Sequence, residues 1–353
     1  MLKRLLLIPL VALPLGVALL VYGTLSGGLL TWVPRLLDAP ADPSRPPMVV
    51  EIPSGATAGE VADLLHQAGL IRSRLLFHLI VRSRGVEGRL TAGEYELSPA
   101  MTTGEIVDAL VEGRVRRSPT VTIPEGWRAE QIADRLQSEG LVDREAFLEA
   151  VKAPPREGLL ATLPPDASAE GYLFPNTYEV RRGATASDVV AMMVAEFERQ
   201  FGETMRAAAQ RQGLSVHEVV TLASIVEREA VVPAERPRIA RVFLNRLQRG
   251  MPLQADPTVQ FAVASEDPQA ATYGYWKQDL SALDLGIPSP YNTYYVTGLP
   301  PGPICNPGRD SLAAVVFPEE NDYLYFVARP DGSHVFARTL AEHEQNVREV
   351  RGR

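Results

Sequence analysis

The sequence predicts an α+β protein assembled in sections: a membrane-spanning helix, a small β-α module, a second β-α repeat, and a larger α+β domain whose long loops lead to a closing β-hairpin. Three observations predict it. An apolar run opens the chain, and a strand–turn–helix pattern then occurs twice at a fixed offset. After residue 250, helical periodicity gives way to Pro-, Gly- and Tyr-rich segments, followed by alternating strands.

The apolar run extends from Leu5 to about Leu25, behind Lys3 and Arg4. About 20 apolar residues suffice to cross the hydrocarbon core. Cations before the run, and no charge after it until Arg35, orient the N-terminus to the cytoplasm and the bulk of the chain outside it. The run is longer than a signal-peptide core, and Thr24-Leu25-Ser26 is a poor cleavage site, so the helix is expected to stay attached. Residues 1–30 thus read as cytoplasmic tip and single-pass anchor in the cytoplasmic (inner) membrane, and 31–47 as a Pro-rich linker.

Residues 48–117 and 118–165 carry the repeat. Val50-Glu51-Ile52-Pro53-Ser54-Gly55 is matched by Val121-Thr122-Ile123-Pro124-Glu125-Gly126, 71 residues on, and Ala62-Asp63 and Gly69-Leu70 are matched at the same offset. Each copy reads as strand, Pro-x-Gly turn and amphipathic helix. Gly93–Leu97 alternates as a strand, and Thr103 is placed to cap a helix over Gly104–Glu112. The first copy resembles a LysM module, a small fold that binds glycans containing N-acetylglucosamine. Residues 166–353 form the larger domain, with helices expected at 186–203, 215–230 and 234–249 and long loops from Met251 to Gly308. Strands at Tyr323–Ala328 and His334–Ala337 flank a Pro330-Asp331-Gly332-Ser333 turn, and a final helix follows.

Composition narrows the chemistry. The chain has 353 residues and a net charge of -8, with no basic field to attract nucleic acid. The single cysteine, Cys305, excludes an internal disulfide. His66, His78, His217, His334 and His343 show no metal-ligand spacing, and neither a Gly-x-Ser-x-Gly elbow nor a P-loop is present. No metal or cofactor is expected. What remains is a carboxylate in an apolar setting. Along Ser215–Ala230, the residues Val219, Ala223, Val226 and Ala230 form one stripe, with Glu229 on one flank and Glu227 on the other. Either carboxyl sits at the margin of a buried surface, where desolvation raises its pKa toward the range of a general acid. Periodicity leaves the choice between them open. The loop region adds Gln254, Asp256, Thr258, Tyr291, Asn292, Thr293, Tyr294 and Tyr295, residue types that bond sugar hydroxyls and stack on sugar faces.

Several ordered motifs together resemble one family. Leu222-Ala223-Ser224-Ile225-Val226-Glu227-Arg228-Glu229, Glu170-Gly171-Tyr172-Leu173-Phe174-Pro175-Asn176-Thr177-Tyr178 and Leu253-Gln254-Ala255-Asp256-Pro257-Thr258-Val259 are similar to the signature of the YceG-like endolytic murein transglycosylases. So are Tyr291-Asn292-Thr293-Tyr294 and Gly298-Leu299-Pro300-Pro301-Gly302-Pro303-Ile304. Asn176 stands where that family often has Asp, and Ala230-Val231 where Thr-Ala can occur. The resemblance implies a lytic transglycosylase that cleaves the β-1,4 bond between N-acetylmuramic acid and N-acetylglucosamine of nascent peptidoglycan strands and leaves 1,6-anhydro ends. It assigns catalysis to Glu229 and implies strand contacts by Glu227, Gln254, Asp256, Thr258, Tyr291, Asn292, Thr293, Glu170 and Tyr172. Peptidoglycan synthases are the expected companions. A non-enzymatic glycan-binding scaffold and a hydrolytic muramidase are the alternatives.

Overall fold

A computed structural model describes residues 38–115 and 118–352. The expected membrane helix at Leu5–Leu25 lies outside the described residues; among those described, no helix is long and apolar enough to cross a membrane. The chain divides into two compact units between Arg117 and Ser118.

In the first unit, β1 (Met48–Ile52) pairs antiparallel with β2 (Gly93–Leu97), and α1 (Ala58–Gln67) and α2 (Arg74–Ser83) lie between them in the chain. α3 (Thr103–Val111) follows β2. Val50, Val61, Leu65, Phe77, Tyr95 and Leu110 are buried together in its core. Thr57 and Glu60 form a capping box on α1, and Thr102 and Glu105 form another on α3. Thr102, not the expected Thr103, is the cap, because only it has a glutamate three residues on to complete the reciprocal bonds. Residues 38–45, expected as an extended spacer, instead dock on this unit. Asp42 turns the chain by accepting from Ser44 N and Oγ, and Asp38 Oδ2 accepts from Gly104 N at 2.8 Å.

The second unit opens with the same order of elements. β3 (Thr120–Thr122) pairs antiparallel with β4 (Thr177–Glu179), with α4 (Ala129–Ser138) and α5 (Arg144–Lys152) between them and α6 (Ala186–Gln200) after. Val50 faces Tyr95 across the first ribbon and Val121 faces Tyr178 across the second. Each tyrosine hydroxyl donates to a carbonyl four residues upstream, Tyr95 to Thr91 and Tyr178 to Phe174. The repeat therefore covers a whole β-α-α-β-α unit. Its second half escapes a constant offset because the stretch holding the short helical turn Gly158–Thr162 lengthens the second copy.

Beyond α6 come α7 (Glu203–Arg211), α8 (Val216–Glu229), α9 (Arg236–Gln248), α10 (Asp256–Glu266) and α11 (Arg309–Val316). The hairpin β5 (Tyr325–Ala328) and β6 (His334–Ala337) and then α12 (Leu340–Arg351) close the chain. The helix expected at 186–203 ends at Gln200, and a further helix, α7, starts beyond Gly202. α10 lies where loops were expected. Pro257 reads as a breaker, yet it sits in the first turn, where a missing N–H leaves no helical bond unmade. α8 is the central element. It packs against α7, α9, α10 and α11, and every residue from Val219 to Val226 is buried, so the expected single stripe is a helix enclosed on all sides.

Asn306 ties three segments of this unit together. Its Oδ1 accepts from Gly171 N (2.8 Å) and Leu173 N (2.9 Å), and its Nδ2 donates to Trp127 O (3.0 Å) and Glu170 Oε1 (2.7 Å). The side chain is fully buried with its bonding capacity filled. Asn306→Ala strands two buried N–H groups at once. A loss of roughly 2–4 kcal/mol is expected, read as a lowered denaturant midpoint at unchanged m-value.

Candidate functional site

α8 begins at a Ser215–Glu218 capping box and ends at Glu229, after which Ala230 is extended (φ −83°, ψ 99°). The end of the helix brings Glu229 out of the core only halfway, so its carboxyl is half-buried. Burial, and then the negative charge of Asp256, push its pKa up to about 8 against the pull of Arg246. The C-terminal end of the helix dipole acts in the same direction, disfavouring the anion. No described residue donates a hydrogen bond to this carboxyl.

Asp256 is the first residue of α10 and is exposed; the Tyr294 hydroxyl donates to its Oδ1 at 2.7 Å. Gln254 holds a left-handed backbone (φ 52°), fixed by its N–H to Thr293 O at 3.1 Å. Arg246 is buried behind them. It donates from Nε to Leu324 O (2.6 Å) and from Nη1 to Leu253 O (2.7 Å). Glu229, Asp256, Gln254, Tyr294 and Arg246 thus form one group at the C-terminal end of α8.

Thr258, Asn292 and Thr293 are fully buried, and their polar atoms bond the loop itself. Thr258 Oγ1 donates to Ala255 O (2.6 Å), Thr293 Oγ1 accepts from Ala255 N (3.0 Å), and Asn292 Nδ2 donates to Leu285 O (3.0 Å) and Ile287 O (2.9 Å). These three fix the shape of the segment that presents Gln254, Asp256 and Tyr294.

Glu170, Tyr172 and Tyr291 gather elsewhere, near the start of α8. Glu170, His217 and Tyr291 line a cleft of about 320 Å³ with Pro301, Gly302 and Pro303. Pro301 O, which can only accept, takes the Nε2 proton of His217 at 2.8 Å, so in the neutral ring Nδ1 accepts from the Tyr172 hydroxyl at 3.0 Å. Glu170 is pushed up to about 8 by burial and by Glu130, while its oxygens accept from Ala129 N and Asn306 Nδ2. From His217 to Glu229 the helix rises roughly 18 Å, so the nine supporting residues do not form one cluster.

Glu227 is separate again. Its carboxylate accepts from Arg236 Nη2 (3.1 Å) and Gly308 N (3.0 Å), and its side chain is 6% exposed. That pair is structural in form, a buried anion with cation and amide supplied. Arg236 and Arg246 were not singled out from the sequence. Arg246 alone left a signal there: it continues the apolar stripe of Ile239, Val242 and Phe243, a position where a cation must find buried partners. Among the described residues, no group of three or more His, Cys, Asp or Glu could hold a metal ion.

The chain matches the YceG-like family over residues 50–349. An endolytic murein transglycosylase of Bacillus subtilis (strain 168) is 34% identical over 336 residues, which are 90% of this chain and 89% of that protein. One from Streptococcus pneumoniae serotype 2 is 32% identical over 337 residues, 87% of this chain and 59% of that longer protein. The crystal structure of a YceG-like protein from Listeria monocytogenes matches with a TM-score of 0.56 at 34% identity, covering 86% of this chain and all of that one.

The raised carboxyl has a consequence for stability. Between its ordinary 4.5 and about 8, Glu229 keeps a proton in the folded chain that the unfolded chain has lost. Stability therefore falls as pH rises through that window. Glu170 acts in the same sense, so Glu229→Gln removes one of two contributions. Thermal unfolding across about pH 5–8 should show the variant gaining on the wild type as pH rises, and midpoints that run parallel would contradict it.

Proposed function

This chain belongs to the YceG-like family of endolytic murein transglycosylases, and we propose that it is a lytic transglycosylase, a carbon–oxygen lyase, that cuts nascent peptidoglycan strands with Glu229 as its acid and then its base. One observation carries the assignment to Glu229: it is a carboxyl held up to about 8, open to a substrate and bonded to no described residue. Glu227 lacks that freedom, because Arg236 and Gly308 N occupy its oxygens.

The reaction runs on one group. The Glu229 carboxyl protonates the glycosidic oxygen as the bond from C1 of N-acetylmuramic acid to N-acetylglucosamine breaks. The carboxylate left behind takes the proton of the muramoyl C6 hydroxyl, and that oxygen closes on C1 as a 1,6-anhydro ring. Proton and bonds balance without water, and Glu229 is returned in its starting form. Burial, and after it Asp256, which Tyr294 fixes, keep Glu229 protonated near neutral pH. Gln254 and the exposed faces of Tyr294 and Tyr295 offer amide and aromatic contacts to the sugars. Thr258, Asn292 and Thr293 hold that surface in shape, while Glu170 and Tyr291 face the strand in the cleft farther along α8 and Tyr172, fully buried, only positions His217 there.

The apolar run Leu5–Leu25, read from the sequence as an anchor, supports a location at the outer face of the cytoplasmic membrane, where new strands appear beside their synthases. The strand–turn–helix opening of the first unit, which resembles that of a LysM module, supports glycan contact there.

Glu229→Gln preserves shape but transfers no proton. Cleavage should fall by about 10²–10⁴-fold or more with folding intact. Glu227→Gln should instead lower the thermal midpoint while retaining part of the activity, because it weakens a buried ion pair. Mass spectrometry of glycan products decides the reaction. Anhydro ends are expected; a free reducing end would make the chain a hydrolase, and uncut strands a binding protein.

A further inference from the structure

Arg228 has no task in the reaction above, yet it sits between Glu227 and Glu229 on the last turn of α8. Its guanidinium lies 4.0 Å from the ring centroid of Trp276. Its Nε is buried and makes no hydrogen bond, and none of its N–H groups is taken up by any described residue. The adjacent anion, Glu227, attracts it only through space, because its hydrogen bonds go to Arg236 and Gly308 N. Burial draws the pKa of Arg228 downward, a sign that its charge is poorly compensated. Unpaired, partly buried cations are unfavourable and uncommon, which raises the question of where the counter-charge comes from.

We propose that Arg228 binds a carboxylate carried by the muramoyl substituent of the glycan strand, either on the stem peptide or on the lactyl group of a strand that has lost its peptide. Stacking on Trp276 occupies the face of the guanidinium and holds it in place. Its Nη groups, which no described residue takes up, are left for a planar acceptor, the geometry in which Arg pairs with carboxylate. Capture one residue from Glu229 sets a muramoyl unit, rather than an N-acetylglucosamine, against the proton donor. The inference rests on the reading of Glu229 given above.

The test measures binding, so it does not depend on cleavage. Fluorescent soluble strands are titrated into the full chain carrying Glu229→Gln, alone or with Arg228→Gln. Three substrates are compared: peptide-bearing strands, the same strands with their carboxylates amidated, and strands stripped by an amidase. Arg228→Gln should weaken binding by about ten- to a hundredfold, of peptide-bearing strands if the carboxylate is on the stem peptide and of stripped strands if it is the lactyl group. Amidation should cause a similar loss when Arg228 is present and no further loss when it is Gln. Tight binding of stripped strands identifies the lactyl carboxylate; weak binding of them identifies the stem peptide. Arg228→Lys, which keeps the charge, should recover part of the affinity and separates charge from packing. Affinity that Arg228→Gln leaves unchanged for both peptide-bearing and stripped strands, or a loss that is equally large on amidated strands, overturns the proposal. Product analysis of the wild type tests the reaction separately.

Discussion

Everything at the candidate site depends on α8 being enclosed until its last turn. Eight consecutive buried residues, Val219–Val226, fix the helix against four neighbours, so the position of its end is not negotiable. A carboxyl placed there is half out of water, at the negative end of a helix dipole, with Asp256 as its anionic neighbour. Three effects of the same sign raise its pKa, and only Arg246 opposes them. A group that holds its proton near neutral pH is then a consequence of where the helix stops.

The second layer keeps that environment in place. Asn306 binds the 170–173 segment to Trp127, and the neighbouring backbone of Ile304 donates to Ser224 Oγ in the middle of α8. The Thr258–Thr293 pair, with its oxygens 2.9 Å apart, fixes the start of α10 and hence Asp256. Buried polar groups fully paired in this way give one arrangement in preference to many. Their cost falls due when one partner is removed, since the other is then left unsatisfied in the interior.

Local signals in the sequence carried over well where the physics is local. The strands just before Pro53 and Pro124, the helix beginning at Ser215 and the Pro330–Ser333 turn all depend on residues within a few positions of one another. The nine residues implied around Glu229 were harder to sort by sequence, because polar loop residues look alike whether they face a sugar or their own backbone. Thr258, Asn292 and Thr293 turn inward, while Gln254 and Asp256 are exposed. Periodicity left Glu227 and Glu229 equivalent, and what separates them is distant in the chain: Arg236 and Gly308 for one, Asp256 and Arg246 for the other. α10 was missed because a proline favourable in a first turn looks like a proline that ends a helix. Arg228 shows no local anomaly, and its lack of a counter-ion is visible only once Trp276 is seen beside it.

The central claim is that Glu229 keeps its proton because Asp256 and burial hold it there. The pH dependence of kcat/KM for strand cleavage tests this most directly, because its limbs report groups of the free enzyme. The account predicts activity that declines above about pH 8 in the wild type, and a decline that begins at lower pH in Asp256→Asn, where the raising charge is gone. A decline set in the ordinary carboxyl range, or one that Asp256→Asn leaves unmoved, would contradict it.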